Sequence, residues 1–326
     1  MQRSTSFDVA RLAGVSRATV SYVLNGRTDQ SISEATRQRV LQAAQQLEYV
    51  PNAASRALRI GSSKLVMLVN SGIPWSTNVS DLEDHLTSLV SDSGRSLVVW
   101  RRQGPQDLAR TLSNLEPAVV ISQDLLSERE RELLTRLHIP LVEVDIAFPG
   151  TDLPARLQFE HLQAYGHERI GYLTTSEPEL QRFAAPRTAA FRAACIALGL
   201  PEPVVGTVPG GLSVAADDVA ELLRTWTAGE RPVTAVACFN DVHAAVCLAA
   251  AQRVGLWVPY DLAVIGLDDD IFAPITAPPL TTIRLDNRKF AEHLWASAAH
   301  QLGIGPAPRP FHPSAHLVER SSVRPD

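Results

Sequence analysis

Eight short runs of β-branched and aliphatic residues, separated by helical stretches, constrain this chain more than any other feature of its sequence. The first four runs are KLVMLV, SLVVW, AVVIS and PLVEVD, and the second four are RIGYLTT, VVGTV, TAVACF and LAVIGL. Strands that alternate with helices at this spacing predict βαβ units and parallel sheets. Because the runs form two series, we expect an α/β body of two doubly wound lobes.

The composition agrees with a body of this size. The chain has 326 residues, of which 45% are hydrophobic, so it can bury a large core and divide into more than one domain. No apolar run reaches the roughly 18 residues of a membrane span, and the first residues contain no signal-peptide core. We therefore expect a cytoplasmic protein. Cys195, Cys238 and Cys247 form no C-x-x-C pair, which argues against a disulfide framework and a zinc site.

Residues 7–24 predict two short helices joined by a tight turn. Gly14 supplies the left-handed turn, and Ser16 caps a second helix that begins at Arg17 and ends near Leu24. The helices pack through small and branched side chains, namely Val9, Ala10, Ala13, Val20, Val23 and Leu24. This arrangement is the motif that places its second helix in the major groove of DNA.

The outer face of the second helix carries residues suited to DNA. Arg17 can bind guanine through two hydrogen bonds, Ala18 can contact a thymine methyl group, and Tyr22 offers a ring and a hydroxyl. These three are the base-reading candidates. The candidates for contacts with the DNA backbone are Ser16, Thr19, Ser21 and Asn25. The alternative is an ordinary amphipathic helix, which exposes such residues without binding anything.

Two more segments complete the N-terminal region. A third helix is predicted over residues 34–47, with Ile32 as its hydrophobic staple and Ser33 as its N-cap. The sequence NAASRALR follows, and a helix of about eight residues is marginal on its own in water. Within it Leu58, flanked by Arg56 and Arg59, suits a wedge that enters the minor groove. The alternative is a linker helix docked on the body.

Charge is distributed unevenly along the chain. Residues 1–61 hold eight arginines, no lysine and four acidic residues, a net charge of +4, whereas the remainder has 22 basic and 31 acidic residues. A basic head on an acidic body is expected when only the head meets phosphate groups.

Together these segments resemble the LacI/GalR family of repressors over essentially the whole chain. The resemblance lies in FDVARLAGVSRATVSYVLNG, SISEATRQRVLQAAQQLEYVPNAASRAL and HLQAYGHERI. It implies a periplasmic-binding-protein-like body, base-reading roles for Arg17, Ala18 and Tyr22, and a hinge whose Leu58 inserts at the operator centre. It also implies a homodimer on a near-palindromic DNA operator, with affinity controlled by a small-molecule effector, a sugar or related metabolite.

Polar residues follow two strands of the second lobe, at the edge where open α/β sheets bind ligands. Asn240 and Asp241 follow TAVACF, and the aspartates 268–270 follow LAVIGL. By resemblance, the effector-binding positions of the second lobe are Arg187, Asn240, Asp241 and Asp268. The first lobe would add Ser71, Trp75 and Ser76. The alternatives are helix caps or a hard-cation site for the aspartates, a surface ion pair for Arg187, and packing between the lobes for Trp75.

The chain also departs from the family pattern. It lacks the Asp-Asn pair usually found upstream of His161, with Asp152 as a candidate substitute, and Leu267 stands where an aromatic residue is usual. These departures weaken the expectation of a sugar site of the usual kind. Nothing after the terminal LVERSS shows a leucine heptad repeat, so we expect a dimer.

These observations predict a chain of three parts. Residues 1–50 form the DNA-binding head, 51–61 the hinge helix and linker, and 62–326 the sensing and dimerisation body. The lobes of the body are expected to comprise about 62–150 with 285–310, and 151–284 with the C-terminal strand.

Two other classes of protein share this kind of body. A periplasmic solute receptor requires export, but this chain begins with a DNA-binding segment. An enzyme on the same lobes requires a nucleophile with its base, a metal cluster or a phosphate loop, and H-E-x-x-H, G-x-S-x-G and phosphate-loop motifs are absent. We therefore expect a transcription regulator without metal or cofactor, in which the effector changes lobe closure and hinge spacing.

Overall fold

The computed structural model of the protein describes residues 4–24, 32–49, 63–71, 76–102, 108–123, 126–143, 152–208 and 212–323. The chain divides into two compact units, Met1–Ser63 and Lys64–Asp326. Each unit has a hydrophobic core of its own.

The described part of the N-terminal unit consists of α1 (Ser6–Ala13), α2 (Arg17–Leu24) and α3 (Glu34–Gln46). Thr5 and Asp8 form a capping box at the start of α1, and Gly14 ends that helix with a φ of 66°. Ser33 caps α3 by accepting a hydrogen bond from a backbone N–H. The helices enclose a small core of Val9, Ala10, Ala13, Val20, Val23, Val40, Ala43 and Ala44. The predicted helix, turn and helix are therefore present.

The first lobe of the second unit is a parallel sheet with the strand order β2-β1-β3-β4. Its strands are β1 (Leu65–Ser71), β2 (Ser96–Arg102), β3 (Val119–Ser122) and β4 (Leu141–Glu143). The helices between them are α4 (Thr77–Asp92), α5 (Leu108–Leu115) and α6 (Glu128–Arg136). Every residue of β3 is buried, because helices cover both faces of the sheet.

The second lobe repeats this architecture with the strand order β6-β5-β7-β8. Its strands are β5 (Ile170–Thr175), β6 (Val204–Val208), β7 (Ala235–Cys238) and β8 (Ala263–Ile265). Its helices are α7 (Leu153–Ala164), α8 (Gln181–Ala197), α9 (Leu212–Trp226) and α10 (Asp241–Val254). In both lobes the first strand pairs in parallel with the second and the third. The carboxyl ends of the strands therefore meet at one edge of each sheet.

An additional antiparallel pair, β9 (Thr282–Leu285) and β10 (Ala315–Val318), flanks the segment in which the chain visits the first lobe. The intervening helix α11 (Asn287–Gln301) buries Ala291 and Leu294 in the core of the first lobe. Strand β9 itself stays on the second lobe. The reason is that Ile283 is fully buried in the core of that lobe. The crossing comes where β9 ends and α11 begins.

Candidate functional site

Helix α2 presents the predicted base-reading residues on its outer face. Arg17 and Ala18 are exposed, and Ser21 and Tyr22 are half-buried. The apolar side chains of the same helix face the core of the unit. The four side chains named for the outer face therefore lie on the side of α2 that is turned away from the core.

The start of α2 is fixed by Ser16. Its hydroxyl accepts a hydrogen bond from the N–H of Thr19 at 3.1 Å and lies 2.9 Å from the Thr19 hydroxyl. This cap leaves the first N–H groups of the helix at its tip, where a phosphate can bind. The other predicted DNA contacts lie outside the described residues: Asn25, Arg56, Leu58 and Arg59.

The structure brings Arg187 to the end of β7 in the second lobe. Its Nη1 donates a hydrogen bond to the carbonyl oxygen of Phe239 at 3.3 Å. Its guanidinium carbon lies 5.0 Å from the centroid of the Phe239 ring, a cation–π contact. The charge of Arg187 also acts on Asp268, whose pKa it lowers. Two predicted site residues therefore share one corner of the lobe.

Asp268 combines an unusual backbone conformation with unused hydrogen-bonding capacity. Its φ is 107°, a region that residues with side chains rarely adopt. Within the described part of the chain, its buried Oδ1 has no hydrogen-bond partner. Burial raises the pKa of Asp268 to about 7, Arg187 opposes this shift, and Asp270 adds to it. A buried acceptor at a strand end is suited to receive a hydrogen bond from a ligand.

The carboxylate of Asp241 points into the protein. The residue is only 1% exposed. Its Oδ1 accepts a hydrogen bond from Thr282 Oγ1 at 2.6 Å, and its Oδ2 accepts one from the N–H of Asp270 at 2.7 Å. These bonds join the start of α10 to β9 and to the loop after β8. This geometry favours a positioning role for Asp241 over the direct effector contact predicted from the sequence.

The titration of the Asp241 carboxyl should lower the free energy of unfolding as pH rises. Burial raises the pKa of its carboxyl to about 8, against the hydrogen bonds from Thr282 and Asp270, while the unfolded carboxyl titrates near 3.8. The folded state therefore holds the proton more tightly, and its contribution to stability is complete below about pH 4 and lost as pH rises to about 8. One proton corresponds to a slope of at most about 1.4 kcal/mol per pH unit.

The measurement is the free energy of unfolding in urea between pH 5 and pH 8. Asp241→Asn keeps an acceptor and removes the titration, so its stability should fall less steeply than that of the parent. Part of the slope should remain, because Asp268 shifts in the same direction. Asp217→Asn, at an exposed position, is the control and should keep the full slope. Equal slopes in all three proteins would contradict the prediction.

Asp269 is neutralised by two arginines from other segments. Its side chain is 2% exposed and forms ion pairs with Arg284 and, at 2.6 Å, with Arg320. Arg320 also donates to the carbonyl oxygen of Leu280 at 2.7 Å. A buried carboxylate requires partners of this kind. Asp269 therefore anchors the loop after β8 to β9 and to the segment that follows β10.

Asn240, which follows β7, and Ser76, which precedes α4, are helix caps. Asn240 Oδ1 accepts a hydrogen bond from the N–H of His243 at 3.0 Å and lies 2.5 Å from its Nδ1. Ser76 Oγ accepts a bond from the N–H three positions on at 3.3 Å. Of the other candidates, Ser71 is the last residue of β1, and Trp75 lies outside the described residues.

Sequence reasoning missed several residues that hold the site together. The Nε2 of Gln158 donates to the carbonyl oxygens of Cys238 and Gly266, at 2.9 and 2.8 Å, and so joins the ends of β7 and β8. The sequence could have indicated this role, because Gln158 is a polar residue on the buried face of α7, which also carries Ala155 and Leu162. The other missed partners are Thr77, Thr282, Arg284 and Arg320.

Two further features of the described residues bear on other classes of protein. Among them, no group of three or more His, Cys, Asp and Glu residues is arranged to hold a metal ion. No helix within the described ranges is long and apolar enough to cross a membrane.

The helical N-terminal unit and the two-lobed α/β body together define a class of protein. Comparison with known proteins identifies the family. Residues 7–52 match the family described as bacterial regulatory proteins, lacI family, and residues 159–323 match the periplasmic binding protein-like domain. The chain belongs to the lacI family, as predicted from its motifs, and the expected α/β body with a helix-turn-helix head is confirmed.

Individual relatives are also similar over most of the chain. The HTH-type transcriptional repressor PurR of Vibrio parahaemolyticus is 31% identical over 307 residues, which cover 89% of each chain. The structure of the lac repressor dimer bound to operator and the anti-inducer ONPF superposes with a TM-score of 0.78 at 25% identity, covering 99% of each chain. The regulator CelR in complex with cellobiose gives a TM-score of 0.67 at 25% identity, covering 98% of this chain and 100% of that one.

Proposed function

We propose that this protein is a transcriptional repressor that binds a near-palindromic DNA operator as a homodimer and is controlled by a small molecule bound between its lobes. One observation supports this proposal most directly. The same chain contains a helix-turn-helix with an exposed Arg17 and a two-lobed body in which polar side chains such as Arg187 lie at the ends of the strands. The parts would be residues 1–50 for DNA binding, 51–61 for the hinge and 62–326 for sensing and dimerisation. Such a protein would act in the cytoplasm, where the chromosome lies.

The proposed DNA contacts use helix α2 and the hinge. Arg17, Ala18 and Tyr22 would read bases, because they lie on the outer face of a helix whose inner face is packed. Ser16, Thr19, Ser21 and Asn25 would contact phosphates, and Leu58 with its flanking arginines would enter the minor groove. A relative that is a dimer bound to its operator supports the homodimer.

The proposed effector site uses Arg187 and Asp268 as its polar centre. Arg187 would donate to an acceptor on the ligand, and the unpartnered Oδ1 of Asp268 would accept from a hydroxyl or N–H group. The site would be completed by Asn240, Ser71, Trp75 and Ser76. Asp241 would keep the loop after β8 in position through its hydrogen bond with Asp270. One relative supports a sugar or a related metabolite, since it forms a complex with cellobiose. We propose no catalytic role, because the named relatives are transcriptional repressors.

The test is selection of bound sequences from random duplex DNA with the purified full-length protein at several salt concentrations. We expect an enriched near-palindrome, whose two halves report the dimer, and binding that weakens steeply as salt rises. Background binding without any enriched sequence would contradict the proposal.

Arg17→Ala is expected to weaken binding to the selected operator by about 1–3 kcal/mol, because it removes two hydrogen bonds to one base. The preference for that base should disappear from each half-site. Thr19→Ala is the matched comparison on the same helix. It should weaken binding to all sequences by a similar factor, because phosphate contacts carry no sequence information. An Arg17→Ala protein that selects the parent sequence with the parent affinity would exclude Arg17 as a base reader.

A further inference from the structure

Helix α4 of the first lobe begins with a hydroxyl that contacts the second lobe. Thr77 Oγ1 donates a hydrogen bond to Asp270 Oδ1 at 2.5 Å and accepts one from the N–H of Ile271 at 3.2 Å. Thr77 and Asp270 are 193 positions apart in the sequence. One hydroxyl thus acts as both donor and acceptor toward the loop after β8.

Each side of this contact is fixed within its own lobe. Helix α4 buries Leu82 and Leu86 in the core of the first lobe. On the other side, the N–H of Asp270 donates to the buried carboxylate of Asp241 at 2.7 Å, and Asp270 itself is 6% exposed. Because both groups are tied to packed cores, the contact between them depends on the distance between the lobes.

We propose that the hydrogen bonds of Thr77 with Asp270 and Ile271 form a latch between the lobes, which limits how far the lobes open. Ser76 directly precedes Thr77, and Asp268 lies two residues before Asp270. The latch therefore closes beside candidate effector residues of both lobes, and it makes Thr77 and Asp270 positioning residues of that site. This consequence rests on the proposed function, whereas the latch itself rests on the geometry.

A neighbouring contact offers a matched control. Asn287 Nδ2 donates to the carbonyl oxygen of Asn78 at 3.1 Å and to its side-chain Oδ1 at 2.6 Å. Helices α11 and α4 both contribute to the core of the first lobe, so this contact stays within one lobe. Its loss should loosen the start of α4 without releasing the lobes.

The test measures the distance between the lobes of the full-length protein by pulsed electron paramagnetic resonance. Spin labels are attached at Glu132→Cys on α6 of the first lobe and at Glu230→Cys, before β7, on the second. Both positions are exposed. The native thiols are buried and do not compete for the label: Cys195, Cys238 and Cys247.

The decisive variant is Thr77→Val, which keeps the shape of the side chain and removes both hydrogen bonds. A hydrogen bond to a charged group is strong enough to shift an equilibrium by roughly tenfold to a hundredfold. We expect the ratio of long to short label distances to rise by about that factor, while Thr77→Ser and Asn287→Ala keep the parent distribution. An unchanged distribution in Thr77→Val overturns the latch. An equal change in Asn287→Ala also overturns it, because loosening of α4 would then explain the effect.

Operator binding is measured on the same proteins, so that the two proposals can fail separately. If the parent enriches no DNA sequence, the proposed function fails, and the label distances still decide on the latch. If the parent binds its operator and Thr77→Val leaves the distances unchanged, the latch fails and the proposed function stands.

Discussion

Gly266→Ala is expected to lower the free energy of unfolding of the body by about 3–5 kcal/mol. A Cβ at this position would lie 2.0 Å from Oδ1 of Asp241 and 3.0 Å from a methyl carbon of Leu280. Displacing the Asp241 side chain would be costly, because it is buried and accepts hydrogen bonds from the hydroxyl of Thr282 and the N–H of Asp270. Overpacking costs about 1–3 kcal/mol, and buried partners left without hydrogen bonds add a similar amount. Urea unfolding of the full chain measures the loss.

Gly199→Ala is the matched control for this prediction. Gly199 has a φ of 69°, and nothing lies within 4 Å of the position of its added Cβ. The cost there should be about 1–2 kcal/mol, from backbone conformation alone. Adding Asp241→Ala to Gly266→Ala should cost less than the sum of the single changes, since the clash disappears with the carboxylate. Equal losses in the two glycine variants would show that the Asp241 carboxylate does not pack against Gly266.

Much of the fold could be predicted because its signals are local. Each of the eight apolar runs overlaps a strand, and α2 spans Arg17–Leu24, as its capping serine and apolar spacing indicated. Boundaries were less accurate where packing decides them. The C-terminal strand ends at Val318, inside the segment LVERSS, and beyond it Arg320 and Ser322 form side-chain contacts with Asp269 and the carbonyl oxygen of Val264.

The location of the candidate site followed from topology, but its internal contacts did not. Parallel strands end at one edge, so Asn240 and Asp268 could be expected at neighbouring strand ends. The partners of these segments are distant in the sequence, with 41 positions between Thr282 and Asp241 and 51 between Arg320 and Asp269. No periodic pattern links such pairs. Only the folded chain brings them together.

The three adjacent aspartates show why residue type alone could not assign their roles. Asp268 and Asp269 have φ values of 107° and 51°, so successive side chains leave the backbone in different directions. Asp268 keeps an unpartnered oxygen, Asp269 binds arginines, and Asp270 accepts from Thr77. A hard-cation site would instead require the carboxylates to converge. The alternative of a metal site therefore has no support from the geometry of these three residues.

Arg320→Met is expected to lower the free energy of unfolding by about 2–4 kcal/mol. The substitution preserves much of the apolar stem and removes the guanidinium from a side chain that is 17% exposed. Asp269, at 2% exposure, then keeps only Arg284 among the two arginines that neutralise it. The carbonyl oxygen of Leu280 also loses its bond from Arg320. Breaking a buried ion pair costs about 3–5 kcal/mol, and the remaining arginine reduces that loss.

The surface pair of Arg288 with Glu292 provides the comparison for this prediction. Its nitrogen–oxygen distance is 3.1 Å, but the arginine side chain is 75% exposed, so Arg288→Met should cost less than about 0.5 kcal/mol. Combining Arg320→Met with Asp269→Asn should recover part of the stability, because the amide removes a buried negative charge that would have only Arg284 as its partner. If Arg320→Met costs no more than Arg288→Met, Asp269 is stabilised by Arg284 alone. In that case Arg320 does not hold the loop that carries Asp268 in place.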